Sequence, residues 1–301
     1  MYFLEYIEVS SNIFIMHPPK TQNSLNDAPQ TATTSCIELP NSLIFVDCGI
    51  YPSLVRKFRN DMEKRFNKKT SHLFITHAHW DHVFAIEEFK DVIIISSEDS
   101  FSEMQKLIEV KHNKNAKECI EDFKLDPLDG EIVARLNLIL PNITVNHKLS
   151  IRFEEIEVIF QVIGGHSKDS AYVYIPNYSL LCTGDNLIEC YPQIPGSSED
   201  ALAIINHWEG LDCDKIIPGH GNVVNKEYIN QLKKYYKDLI TVLERLYRQK
   251  LSFKKVINNP SIPEYFGKQH LGWKKGCWLD SDWNKDLIKA WHREIIYRNR
   301  K

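Results

Sequence analysis

The chain has 301 residues, enough to bury a full core as one large domain or as one domain with an appendage. Its 37 Lys and Arg against 40 Asp and Glu leave no global basic field of the kind that gathers nucleic acid. No apolar run nears the ~20 residues that cross a bilayer, so no membrane-spanning helix is expected.

Tyr2 to Val9 alternate as a strand, without the basic segment and long apolar core of a secretory leader. The seven cysteines (Cys36, Cys48, Cys119, Cys182, Cys190, Cys213 and Cys277) are scattered and include no C-x-x-C pair. Cys48 and Cys182 sit inside apolar runs, as small buried side chains do. Such a pattern suits a reducing compartment, and a cytoplasmic location is expected.

Residues 2–17 form two strand-like runs broken at Ser10-Ser11-Asn12. Pro18 to Thr34, rich in Pro, Asn, Thr and Gln, reads as a surface loop. Ser35 to Leu39 and Ser42 to Val46, separated by Pro40-Asn41, predict a hairpin. Leu54, Val55, Phe58, Met62 and Phe66 recur at helical spacing over 51–67. An apolar run, His72 to Ile75, then leads into a dense polar cluster, and Val92 to Ser96 is a short strand. Residues 98–124 read as an amphipathic helix, broken by Pro127 to Gly130. From Ile132 to Ile163 the pattern is mostly strand, with further strands at Ala171 to Ile175 and Ser179 to Thr183. Ser197 to Leu211 predicts a helix with Ser198 as its N-cap. Lys215 to Ile217 is a short strand, 225–250 a long helix, and Asp282 to Asn299 another. Residues 251–281, which include Trp273 and Trp278, yield no assignment. Alternating strands and helices on either side of an antiparallel-looking block predict a layered α/β protein with mixed sheets.

The polar cluster is Thr76-His77-Ala78-His79-Trp80-Asp81-His82, in which three imidazoles and a carboxylate fall within six residues. Imidazole nitrogen and carboxylate oxygen are ligands of zinc, iron and manganese, and packing alone gives no reason to bring four such groups together. Four other apolar runs also end at an Asp or a His: Leu43 to Val46 at Asp47, Val158 to Val162 before His166, Leu180 to Cys182 before Asp185, and Ile216-Ile217 before His220. Loops at strand ends are where a rigid sheet positions functional groups. The convergence of five such loops predicts one metal site. The isolated histidines His17, His112, His147, His270 and His292, with His72 and His207, are expected to serve packing or the surface.

The order Asp47, His77-Ala78-His79-Trp80-Asp81-His82, His166, Asp185, His220 resembles the metallo-β-lactamase superfamily, as do Thr183-Gly184-Asp185 and Pro218-Gly219-His220-Gly221. The resemblance covers roughly residues 1–225. It implies a four-layer αβ/βα sandwich of the α/β class. A catalytic domain over 1–225 would carry a helical insertion at about 98–124, and 226–301 would be a C-terminal helical extension. It also implies two divalent metal ions, zinc foremost, with iron or manganese able to occupy the same donors. The first would be held by His77, His79 and His166, the second by Asp81, His82 and His220, with Asp185 between them. Asp81 and His82, which complete the second site, are the expected catalytic pair. Asp47 is expected to orient ligands or its own turn rather than bind metal. Trp80, Lys168 and Asn186 are candidate substrate contacts.

Two such ions lower the pKa of a shared water toward ~7, which implies metal-dependent hydrolysis. Asp185 stands where a β-lactamase with a zinc-binding thiolate has Cys, so the expected substrate is a carboxylic ester, thioester or lactone. Phosphodiester cleavage at the same centre and sulfur dioxygenation at a single iron are the alternative chemistries, and a non-catalytic binding or regulatory role is disfavoured by the complete donor set. Helices around Phe101, Met104, Tyr265 and Trp273 could roof the cleft, pad the core or form a homodimer contact. The partner expected is a small molecule, with neither nucleic acid nor membrane.

Overall fold

Short polar turns and long helical crossovers divide the strands into two mixed sheets. The computed structural model describes residues 6–16, 32–112, 118, 134–189, 192, 196–266 and 283–299. The first sheet runs in chain order: β1 (Tyr6–Ser10), β2 (Ile13–Met16), β3 (Thr34–Glu38), β4 (Leu43–Val46), β5 (Thr70–Phe74), β6 (Ile93–Ser97) and β7 (Ile143–Val145). The pairs from β1 to β4 are antiparallel, and the turns at Ser10 to Asn12 and at Pro40-Asn41 fall where the sequence predicts them. From β4 onward the pairing is parallel, because a parallel return needs a crossover. The first crossover is α1 (Pro52–Phe66).

The second sheet has the order β12-β11-β10-β9-β8. Its strands are β8 (Lys148–Phe153), β9 (Ile156–Val162), β10 (Ala171–Ile175), β11 (Leu180–Ile188) and β12 (Lys215–His220). Only β11 and β12 are parallel, joined through α4 (Ser198–Glu209).

Alternation along each strand sends side chains to two different cores. In β4, Ile44 and Val46 join Ile13, Ile15, Ile37 and Phe74 against Val158, Phe160, Val173 and Leu180 of the other sheet. Leu43 and Phe45 point the opposite way, onto Leu54, Val55, Phe58 and Met62 of α1. Pro52 opens that helix, and Asn67 closes it in the left-handed conformation that Asn tolerates. Beyond it lie α2 (Trp80–Val83) and α3 (Glu98–His112). On the outer face of the second sheet, α4, α5 (Lys226–Arg248) and α7 (Trp283–Arg298) share one cluster with Tyr172, Leu181 and Ile216. The short α6 (Phe253–Ile257) adds Val256 to it. The result is the expected four layers of helix, sheet, sheet and helix.

Two local expectations change. The N-cap of α4 is Ser197, not Ser198: Ser197 and Asp200 exchange a capping box, while Ser198 hydrogen-bonds Glu294 of α7. Strand β11 does not stop before Asp185 but continues past it to Ile188, with register shifts against β12 on both sides of Gly184. Of the residues considered for a roof, Met104 is buried in the outer cluster of the first sheet and Tyr265 in that of the second, where Tyr265 bonds the Tyr228 hydroxyl at 2.8 Å. The loop predicted from Pro18, the helix predicted beyond His112, and Trp273 and Trp278 lie outside the described residues, apart from Ala32 to Thr34 and Glu118. Among the described residues, no helix is long and apolar enough to cross a membrane.

Candidate metal centre

All five polar strand ends meet at one edge of the sandwich. Strand β4 delivers Asp47, and β5 delivers the 76–82 cluster. The turn between β9 and β10 carries His166, β11 carries Asp185 and β12 ends in His220. Backbone bonds fasten these segments to one another: Ala171 N–H donates to the Thr76 carbonyl at 2.8 Å, and Thr33 N–H to that of Gly219 at 2.8 Å. Ala32 N–H reaches the Asp81 carbonyl at 3.2 Å.

The donors fall into two groups, His77, His79, His166 and Asp185, and Asp81, His82, Asp185 and His220. Within each group the ligand atoms lie no more than 4.8 Å apart. Asp185 faces both groups with different oxygens. Its Oδ1 is 3.1 Å from His82 Nε2 and 3.4 Å from His220 Nε2, while its Oδ2 is 3.9 Å from His77 Nε2 and 3.7 Å from His166 Nε2. His220 Nε2 also lies 3.1 Å from Asp81 Oδ2, and His166 Nε2 lies 2.9 Å from His79 Nδ1.

These spacings can be tested against a cation. A tetrahedral shell with bonds of about 2.0–2.1 Å separates its ligand atoms by about 3.3 Å, inside the range just given. His77 Nε2 is buried and makes no hydrogen bond, a costly state for a polar atom with nothing to coordinate. The residues present fit a pair of cations.

Electrostatics distinguishes the two groups. Burial pushes the His77 imidazole well below its ordinary pKa, and burial likewise takes His166 down to about 4. Burial also opposes charge on His82 and His220, but nearby carboxylates outweigh it. Asp185, Asp47 and Asp81 hold His82 well above its ordinary value, and Asp185 and Asp81 hold His220 at about 9. Burial alone would raise Asp185, yet His220 and His82 keep it well below the carboxylate range. Without a cation, the carboxylates of Asp47, Asp81 and Asp185 therefore favour the protonated forms of His82 and His220.

Asp47 sits beneath this arrangement, buried, with a left-handed φ of 56°. Its Oδ1 accepts from Thr76 N–H at 2.8 Å, and its Oδ2 accepts from the Thr76 hydroxyl and meets His82 Nδ1, each at 2.8 Å. With Nδ1 tied to Asp47, His82 turns Nε2 toward Asp185. Close packing reaches the backbone as well, since a Cβ on Gly219 would lie 2.0 Å from Asp185 Oδ1.

The three candidate substrate contacts fare differently. Asn186 is buried, with both ends of its amide engaged by the turn that carries His166. Its Oδ1 accepts from His166 N–H at 2.7 Å, and its Nδ2 donates to the Gly164 carbonyl at 2.8 Å. Lys168 is exposed and paired with Asp99 at 2.7 Å. Trp80 is half-buried, with its ring 5.7 Å from that of Phe84. The histidines assigned to packing stay away from the cluster where they are described: His72 lies between Phe74 and Phe153, His207 bonds the Tyr172 hydroxyl, and His292 packs on Phe253. Two residues with no role assigned from the sequence are Thr76 and Asp169. A hydroxyl directly before the first imidazole was the only signal for Thr76, and nothing in the sequence marked Asp169.

The chain is similar to known proteins in sequence and in fold. A metallo-beta-lactamase type 2 of Bacillus cereus is 25% identical over 191 residues, which are 60% of this chain and 63% of that protein. A second, from Bacillus sp. (strain 170), is 25% identical over 61% of this chain and 64% of its own length. The chain thus spans less than two thirds of these relatives. In fold it is similar to a metallo-beta-lactamase from Pontibacter korlensis, with a TM-score of 0.55 at 14% identity over 78% of this chain and 100% of that one. It is also similar to the stereoselective inverting sec-alkylsulfatase Pisa1 from Pseudomonas sp., with a TM-score of 0.64 at 14% identity over 97% of this chain and 50% of that one. The superfamily's sequence profile runs from residue 31 to residue 220, from just before β3 to the last histidine of the cluster, and the chain belongs to the metallo-beta-lactamase superfamily.

Proposed function

We propose that this chain is a metal-dependent hydrolase with a dinuclear centre, acting on a carboxylic ester, thioester or lactone. The observation that carries the proposal is Asp185, whose two oxygens each face a different set of imidazoles. A single-ion site needs no such sharing. In this reading His77, His79 and His166 hold one cation, Asp81, His82 and His220 hold the other, and Asp185 joins them. Zinc suits the nitrogen-rich donors, and iron or manganese is the alternative. When bound, such a pair supplies Lewis acidity and a water acidic enough to be a nucleophile near neutral pH.

The chain's own residues do the rest. Asp47 and Thr76 orient His82, Asn186 holds the His166 turn, and the carboxylates of Asp81 and Asp185 accept the charge of the cations. His79 is exposed and His166 half-buried, so the first group is the one a substrate reaches from solvent. An oxygen donor at Asp185 in place of a thiolate favours esters over β-lactams. The catalytic unit is taken as residues 1–225, with 226–301 as its helical extension, in a cytoplasmic setting with a small-molecule substrate.

Elemental analysis of the purified protein, followed by a panel of thioesters, lactones, carboxylic esters, phosphodiesters, secondary alkyl sulfates and β-lactams, tests the reading. Two equivalents of metal and turnover of the first three classes are expected. Absence of stoichiometric metal refutes the centre, and cleavage of phosphodiesters, sulfates or β-lactams alone refutes the substrate class.

A further inference from the structure

Asp169 is a buried carboxylate three residues beyond His166. Its Oδ2 accepts two hydrogen bonds, from Ala78 N–H at 2.7 Å and from the Ser100 hydroxyl at 2.8 Å. Its carbonyl accepts from the Ser97 hydroxyl at 2.8 Å, and Ser97 Oγ in turn accepts from Ser100 N–H at 2.9 Å, as an N-cap at the start of α3. The Ala78 peptide lies between His77 and His79, so holding its N–H fixes the direction in which both imidazoles leave the backbone. The carboxylate is on the same turn as His166, the third imidazole of that group. One side chain therefore ties two metal-bearing loops to each other and to the first turn of a 15-residue helix, where the helix dipole favours its negative charge. The other group has no such contact with it: Asp81, His82 and His220 take their support from Asp47 and from the backbone bonds at Ala32 and Thr33.

We infer that Asp169 is the positioning residue for the His77, His79, His166 group, acting through the Ala78 peptide and not by touching a cation. The inference rests on the two-cation reading given above. It differs from a purely structural role in being selective, because loss of Asp169 should loosen one group and spare the other.

The test uses the full chain and zinc alone, with affinities read by competition against a chromophoric chelator. Asp169→Ala is introduced into two backgrounds, His220→Ala, where the first group is read, and His79→Ala, where the second is read. Removing a hydrogen-bonding partner that orients ligands lowers metal affinity by about ten- to a hundredfold. That loss is expected in the His220→Ala background, with less than about a threefold change in the His79→Ala background. Asp169→Asn keeps one acceptor oxygen for Ala78 and is expected to recover most of the affinity. Ser100→Ala, which removes one of the two bonds to Oδ2, is expected to fall between wild type and Asp169→Ala, and it guards against a variant that does not fold. Equal weakening of both groups, or none, overturns the inference while leaving the dinuclear reading intact. A wild-type chain that takes up no zinc overturns both.

Discussion

Replacing Asp47 by Asn removes a charge from beneath the metal centre and leaves the backbone able to keep its φ of 56°, which Asn adopts more readily than most residues. Asp47 presents two acceptor oxygens to three buried donors, Thr76 N–H, the Thr76 hydroxyl and His82 Nδ1–H. The amide keeps one oxygen and offers an NH2 where the other stood. The Thr76 hydroxyl can rotate to accept from it. His82 can satisfy it only by giving up the Nδ1 proton, which in the neutral ring moves to Nε2, the nitrogen that faces Asp185. The proton then sits where a cation would. Disturbing a carboxylate that fixes a metal-binding imidazole lowers affinity by about ten- to a hundredfold, or about 1.4–2.8 kcal/mol. Lost charge-assisted bonds should also lower the stability of the metal-free protein by about 1.5–3 kcal/mol. Zinc competition in a His79→Ala background reads the affected group, and urea unfolding of the metal-free chain reads stability. Second-group affinity within threefold of the parent, together with an unchanged urea midpoint, would refute the assignment of Asp47 as the residue that sets the His82 tautomer.

Loading the centre should release protons, and mainly from one group. Near pH 7 the surrounding carboxylates favour the charged forms of His82 and His220, the latter pushed up to about 9, while burial favours the neutral forms of His77 and His166, the latter pushed down to about 4. Raising the pH toward 9 should strengthen binding at the second group, because a proton no longer competes there. Zinc titration calorimetry in buffers of different ionisation enthalpy should count about two protons from His82 and His220, with any further release coming from metal-bound water, and a count of none contradicts the assignment. Gly219→Ala places a methyl 2.0 Å from Asp185 Oδ1 and 2.8 Å from the Gly184 carbonyl carbon, and metal content should fall below two equivalents together with a lower urea midpoint. Ser197→Ala removes the capping box of α4 and should cost about 1 kcal/mol in urea unfolding. A neutral result there would return the cap to Ser198.

The layered fold and the donor set were legible because both are periodic or dense. Alternation in β4 separates Ile44 and Val46 from Phe45, and helical spacing places Leu54, Val55, Phe58 and Met62 on one face of α1. The structure brings all seven predicted donors together in two groups, since His and Asp at strand ends have few other uses in such numbers. What escaped depends on contacts between distant segments. Nothing near Asn186 in sequence shows that Gly165 and His166 lie over its amide, and nothing near Asp169 points to the Ala78 peptide. The N-cap of α4 was misplaced by one residue because Ser197 and Ser198 are chemically equal, and only Asp200, three residues after the first, distinguishes them. The continuation of β11 past Asp185 was hidden by Gly184, which reads as a turn and acts as an irregularity within a strand.

The donors also have an origin that bears on durability. Each group draws two residues from the loops of the first sheet and two from the second, His77 and His79 with His166 and Asp185, and Asp81 and His82 with Asp185 and His220. A cation in either position would act as a rivet through the interface between the sheets, one that no change in side-chain packing could replace. Free zinc at a hundred times its dissociation constant adds about 2.7 kcal/mol for each site that binds only the folded chain. Chelation should therefore part the sheets before it melts the outer helices. Amide exchange at Ile44, Phe74, Val158 and Val173 should quicken on metal removal more than exchange at Leu239 or Leu243, and uniform quickening would count against the rivet.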